Sequence, residues 1–350
     1  MNFLLPSSTY KYLKAISPWF LPARRLLKQI SGVEPTLFFA APLVDDKSGK
    51  FKPKVVEKLL RQFESGKLPL SNRAHGVRVH GLIDFGRGSN RVFYARDIDF
   101  SVTVLTEQIE LVKQLVTIAG VDDRKLPSLL TIHLGQSEGD RSAELARLVE
   151  VFKKVLPLAE GKRVIISIEN MFDPRGGYSL GSDLEDLAAI FSGVGPTDWL
   201  TCTFDFSHAL IHYHGNYQRI EEQLVKLNLL PKICFVHLTA PGIKYREKVE
   251  KYILPPRNFF PINALWYLLF HHPDNQSGFL PLFKKHPGDY KLLLPLINFV
   301  LDKSAVKESR YNVATLELEL KVWGTHAGAT VKDMLYTLKT IKAFDALNKI

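Results

Sequence analysis

Short apolar runs recur along the whole chain, and six of them end in an imidazole or a carboxylate. They read VRVHG at His80, LLTIHLG at His133, VIISIEN at Glu169, CTFDFSHA at Asp205 and His208, ICFVHL at His237, and VATLELEL at Glu317. Runs of this length, separated by segments with apolar residues at helical spacing, predict alternating strands and helices. The predicted strands cover Asn2 to Leu5, Thr36 to Ala40, Val77 to His80, Leu129 to Leu134, Val164 to Glu169, Thr201 to Phe206, Ile233 to Leu238 and Asn312 to Leu318. The helices that follow them cover Trp19 to Ile30, Lys54 to Phe63, Thr103 to Ala119, Arg141 to Leu156, Asp183 to Phe191, Gln218 to Leu227, Tyr290 to Leu301 and Val331 to Leu347, with Ser182 placed to cap the fifth.

Strict alternation of strand and helix argues for a parallel sheet, and eight pairs argue for closure into a (β/α)8 TIM barrel, an α/β fold. In such a barrel the C-terminal strand tips meet at one mouth. The donors at the ends of the six runs are therefore expected to share one site. Strand parity supports this. Thr131, Ser167, Thr203 and Thr315 each stand two residues before His133, Glu169, Asp205 and Glu317, and residues two apart share a face. The intervening Ile132, Ile168, Phe204 and Leu316 are apolar and are expected to face the helices.

Residues 240 to 287 break the rhythm as a long insertion between strand seven and its helix, with prolines, basic residues and the aromatics Phe259, Phe260, Trp266, Tyr267 and Phe270. A lid folded over the mouth and an oligomer contact are the two readings of it. The 350 residues fit a single barrel domain with this insertion, since barrels of this kind run from about 200 to over 400 residues.

The net charge of +10 favours an anionic partner, with solvated helix faces such as Lys52 to Arg61 as the plain alternative. The first 70 residues carry twelve Lys or Arg against five Asp or Glu. Two cysteines, Cys202 and Cys234, both in strand runs where they alternate with lumenal residues, rule out a disulfide framework. The start lacks a secretory pattern and no apolar run reaches the length of a membrane span, so a cytoplasmic protein with no membrane partner is expected.

Imidazole and carboxylate together suit Zn, Mn, Fe or Co better than Mg or Ca. Glu169, Asp205, His237 and Glu317 form the central candidate set from strands five to eight, with Glu319 as a rival to Glu317 on the same face. His208 stands three residues after Asp205 and can turn back to the site; His80, His133 and His286 add further imidazoles. That number of donors exceeds the needs of one divalent ion and points to two or three. His75, His212, His214, His271, His272 and His326 are read as non-ligands.

The ordered motifs IHLG, ISIEN, FDFSHA, VHL and HPGDY resemble the xylose-isomerase-like barrel superfamily, which contains sugar isomerases, epimerases and endonuclease IV. The endonuclease IV branch is similar in donor count, and the resemblance implies His80, His133, Glu169, Asp205, His208, His237, His286 and Glu317 as metal ligands. GLIDFG after His80 and the glycine-rich loop after Asn170 resemble that branch too. Two positions depart from it: Lys284 stands where the branch has an aspartate, and Ile83 where it has a DNA-prying aromatic.

Two activities follow. In phosphodiester hydrolysis, bridged ions hold the phosphate of DNA bearing an abasic site, with Glu169 as the bridge and Glu317 or Asp205 orienting a water. In aldose–ketose isomerisation or epimerisation of a sugar or sugar phosphate, Glu169 and Glu317 exchange a proton with carbon, and Arg246 or Lys244 holds a phosphate. The fuller histidine set favours the hydrolase; a non-catalytic binding protein on the same barrel is the third reading.

Overall fold

The computed structural model describes residues 2–6, 14, 24–25, 27–28, 32–37, 42–65, 76–82, 92–125, 127–137, 139–172, 179–213, 216–237, 240–241, 279–280, 293–305 and 313–315. The expected sites at His286 and Glu317, the departures at Ile83 and Lys284, most of the 240–287 insertion and the last predicted helix lie outside them.

Among the described residues, eight parallel strands form one sheet. In chain order they are β1 (Asn2–Pro6), β2 (Gly32–Glu34), β3 (Arg78–His80), β4 (Ser128–Ile132), β5 (Val164–Glu169), β6 (Leu200–Asp205), β7 (Ile233–His237) and, after the separate pair β8 (Ala240–Pro241) and β9 (Phe279–Leu280), β10 (Val313–Thr315). Their spatial order is β2-β1-β10-β7-β6-β5-β4-β3. The two ends of this order meet: Thr36 and His80 form a parallel bridge, and the His80 N–H donates to the Pro35 carbonyl at 2.8 Å. The ring is thus closed, as a TIM barrel requires.

Helices α1 (Pro53–Glu64), α2 (Ile98–Ala119), α3 (Arg141–Lys162), α4 (Leu184–Val194), α5 (Phe206–His212), α6 (Tyr217–Lys226) and α7 (Leu293–Lys303) complete the described layer. Local chemistry sets their starts. Asp97 accepts the Phe100 N–H at 2.7 Å, which begins α2 five residues before the predicted Thr103. Asp140 accepts from Ser142 and Ala143 and starts α3 at the predicted Arg141. That helix continues past Pro157 to Lys162, beyond the predicted Leu156. Ser182 does not cap α4, because its hydroxyl donates to the Ser179 carbonyl and Asp183 takes the cap position.

Strand two also differs from expectation. It lies at Gly32–Glu34, paired with β1 from Leu4↔Gly32 to Pro6↔Glu34, rather than at Thr36 to Ala40. Pro35 has no N–H to give a ladder, so regular pairing stops before it and Thr36 contributes a single bridge. Residues 38–40 lie outside the described set.

Outward-facing Ile132, Ile168 and Phe204 are fully buried in one apolar cluster with Leu105, Leu148 and Leu187 of the helices. On the lumenal face, Leu129, Ile165, Cys234 and Phe235 make a separate apolar plug. Cys234 was expected to face away from the lumen; a bulge reverses it. Cys202 pairs with Ile233 and Thr203 with Phe235, leaving Cys234 as the extra residue, and its thiol donates to Thr201 Oγ1 at 3.0 Å. Both cysteines are free and buried, and burial pushes both thiols up.

Antiparallel β8 (Ala240–Pro241) and β9 (Phe279–Leu280) pair the two ends of the insertion, and β8 lies beside α5.

Candidate metal centre

Above the apolar plug the lumen changes to hydroxyls. Thr203 Oγ1 lies 3.1 Å from Thr131 Oγ1 and 2.7 Å from Ser167 Oγ, so three consecutive strands are tied to one another on their lumenal face by hydrogen bonds. The next residues on the same face are His133, Glu169 and Asp205, which places them together at the mouth as parity predicts.

Glu169 is the hub. Its Oε2 lies 3.1 Å from His80 Nε2 and 3.2 Å from His133 Nε2; its Oε1 lies 3.1 Å from His237 Nδ1 and 3.3 Å from His208 Nδ1. Burial alone would push this carboxyl up, but the His237 and His133 rings and hydrogen bonds from His133 and His208 hold it well below the usual range. Asp205 stands behind, with Oδ2 3.9 Å from His237 Nδ1 and Oδ1 4.0 Å from His208 Nδ1.

Local structure holds each donor. His80 precedes Gly81, where a side chain would meet Gln108 Oε1 at 2.5 Å and the Thr131 carbonyl at 3.0 Å, so only glycine lets the chain pass there. His208 belongs to α5, a helix that strand counting did not predict; its N–H donates to Asp205 Oδ1 at 2.7 Å, which turns the side chain back toward the strand tips. His208 Nδ1 is 2.8 Å from the Asn170 carbonyl. A carbonyl only accepts, so in this arrangement Nδ1 carries the proton.

Six of the expected donors, His80, His133, Glu169, Asp205, His208 and His237, are thus brought together. His286 and Glu317 lie outside the described residues. Two participants were not foreseen. Asn170 bonds Asp205 through both backbone groups, accepting from its N–H at 2.7 Å and donating to its carbonyl at 3.0 Å. Its signal was the polar residue directly after the donor in SIEN. Glu34, at the tip of β2, is buried with Oε2 3.6 Å from His237 Nε2. Its signal was the carboxylate ending the run GVE, obscured because strand two was placed after it.

The donor set can hold a cation. Single ligand atoms of His80, His133 and Glu169 lie within 4.8 Å of one another, and so do those of Glu169, Asp205 and His208. Imidazole nitrogen with carboxylate oxygen, all buried, fits a borderline divalent ion such as Zn, Mn, Fe or Co.

A closed parallel barrel with a polar, donor-rich mouth above an apolar plug defines the class: a (β/α)8 protein with a candidate metal site at its strand tips. A family model described as a xylose isomerase-like TIM barrel matches residues 32–251, and the chain belongs to that family. Among solved structures, the chain is similar to a D-tagatose 3-epimerase-like protein at 16% identity and TM-score 0.53, with 100% of this chain and 99% of that chain covered. It is also similar to a xylose isomerase domain protein from Alicyclobacillus acidocaldarius subsp. acidocaldarius at 14% identity and TM-score 0.51, with the same coverage. At such identities the likeness speaks to the fold. No curated protein matches the chain. No helix among the described residues is long and apolar enough to cross a membrane.

Proposed function

We infer that the chain is a metal-dependent isomerase or epimerase acting on a sugar or sugar phosphate, the second of the two activities weighed from sequence rather than the favoured hydrolase. The observation that carries this reading is the depth of the donor set: none of the six described donors is more than 3% exposed. A small polyol can reach donors buried within the barrel mouth, whereas a duplex must first extrude a nucleotide. Membership of the xylose isomerase-like family and the likeness to an epimerase-like protein support the same choice.

His80, His133, Glu169, Asp205, His208 and His237 are the residues that would hold the ion, with His286 and Glu317 as further donors. A divalent cation, when bound, supplies Lewis acidity toward the sugar carbonyl and hydroxyl. Glu169 and Glu317 are the acid–base pair. One carboxylate takes the proton from the carbon beside the carbonyl, leaving an enediolate; the other carboxyl returns a proton to that carbon from the opposite face in epimerisation, or to the neighbouring carbon in isomerisation. No electron leaves the substrate, so no redox partner is required. Glu169, held ionised by its histidine neighbours, is in the state a base needs. Arg246 or Lys244 would hold a phosphate, in keeping with the net charge of +10.

The test is to load the protein with Zn, Mn or Co and incubate it in D2O with a panel of ketoses and ketose phosphates. Deuterium at the carbon beside the carbonyl, abolished in Glu169→Gln, is expected. One observation favours the hydrolase as a second reading: Glu169 divides its two oxygens between two histidine pairs, a donor arrangement that would serve more than one ion. Metal-dependent cleavage of a duplex bearing an abasic site, with no exchange on any sugar, would overturn the isomerase in its favour. A protein purified gently without metal and inert to both would be a binding protein.

A further inference from the structure

A carboxylate at the tip of β2 does not belong to the donor cluster, yet it is sealed in the barrel. Glu34 is 1% exposed, lies between the core residue Val33 and Pro35, and its Oε1 has no hydrogen-bond partner among the described residues. A buried carboxylate left so costs several kcal/mol, so a nearby proton donor is expected. The other oxygen supplies the direction: Oε2 is 3.6 Å from His237 Nε2. This is no by-product of strand pairing, because β1 and β10 separate β2 from β7 in the sheet and the approach crosses the lumen.

His237 therefore lies between two acidic regions. Its Nδ1 faces Glu169 Oε1 at 3.1 Å and Asp205 Oδ2 at 3.9 Å, while Nε2, on the far edge of the ring, faces Glu34. A neutral imidazole carries one proton, and an ionised carboxylate only accepts. His237 Nδ1 is within hydrogen-bond distance of Glu169 Oε1, a contact that a bound cation would replace; for that loaded state we propose that Glu34 is a positioning residue that takes the His237 Nε2–H, fixing the tautomer whose Nδ1 lone pair points into the centre. The 3.6 Å separation exceeds a hydrogen bond by about 0.5 Å. A carboxylate behind an imidazole ligand orients the ring and raises its basicity. The proposal rests on the divalent-cation reading of the centre.

Zinc alone is the probe. Its affinity is measured by competition with a chromophoric chelator, and the histidine tautomers are read from side-chain nitrogen shifts of the zinc-loaded, 15N-labelled protein. The wild type is expected to show His237 protonated at Nε2. Glu34→Ala is expected to lose about 10–100-fold in zinc affinity, and Glu34→Gln, whose amide oxygen still accepts, to stay within a few-fold of wild type. Should Glu34→Ala not fold, Glu34→Gln and the wild-type spectrum decide. A wild-type His237 proton on Nδ1, an unchanged affinity in Glu34→Ala, or an equal loss in both variants overturns the positioning role. Zinc bound equally by wild type and Glu34→Ala sinks this proposal alone; a wild type that binds no zinc sinks the centre and this proposal with it.

Discussion

The two faces of strands β4 to β6 are buried to the same degree and carry opposite chemistry. Outward, Ile132, Ile168 and Phe204 pack into the apolar cluster shared with the helices. Inward, Thr131, Ser167 and Thr203 satisfy one another's hydroxyls, and beyond them His133, Glu169 and Asp205 form the mouth. The difference is therefore not exposure but whether polar partners converge. A strand alternates its side chains with period two, so one stretch of chain serves cohesion on one face and chemistry on the other.

Substitutions on the two faces should separate these duties. Glu169→Gln, at the centre of the inner face, is expected to reduce sugar turnover by about 10²–10⁴-fold while the circular dichroism spectrum stays folded; wild-type turnover would break the division. Phe204→Ala, on the outer face, is expected to cost about 3–5 kcal/mol in urea unfolding, with zinc still bound by the folded fraction. An outer-face variant that stayed fully stable but lost zinc would invert the comparison.

Smaller effects sharpen it. Stripping a bound ion with a chelator should lower stability by about 2.7 kcal/mol if the ion was present at 100 times its Kd, read as a lower thermal midpoint that returns on adding zinc back. Thr203→Val leaves Thr131 and Ser167 without their shared partner and is expected to cost about 1–3 kcal/mol. The smallest effect lies outside the barrel lumen. His212 hydrogen-bonds Asp183 at 2.7 Å and holds its carboxyl below the usual range against the opposing pull of partial burial. A depressed carboxyl contributes stability above its unfolded pKa and loses it as pH falls through the folded value. The gap in thermal midpoint between wild type and His212→Ala should thus be present at neutral pH, be worth less than about 1 kcal/mol, and close on acidification. A gap that grew toward acid would contradict the sign.

The alternation of apolar runs and helical segments was sufficient to predict a barrel, and the parity of Thr131 with His133, Ser167 with Glu169 and Thr203 with Asp205 predicted the lumenal order, because both follow from periods built into a single strand or helix. What the chain could not show by itself were contacts between strands distant in sequence. The bulge that turns Cys234 inward depends on its register against β6, and the stop at Pro35 shifts β2 so that Glu34 stands at the mouth. Helix α5 brings His208 back through a bond to Asp205, and Glu34 meets His237 only because closure of the ring carries β2 across from β7. Side-chain period is a local property; register, ring closure and the partner found across a lumen belong to the assembled sheet.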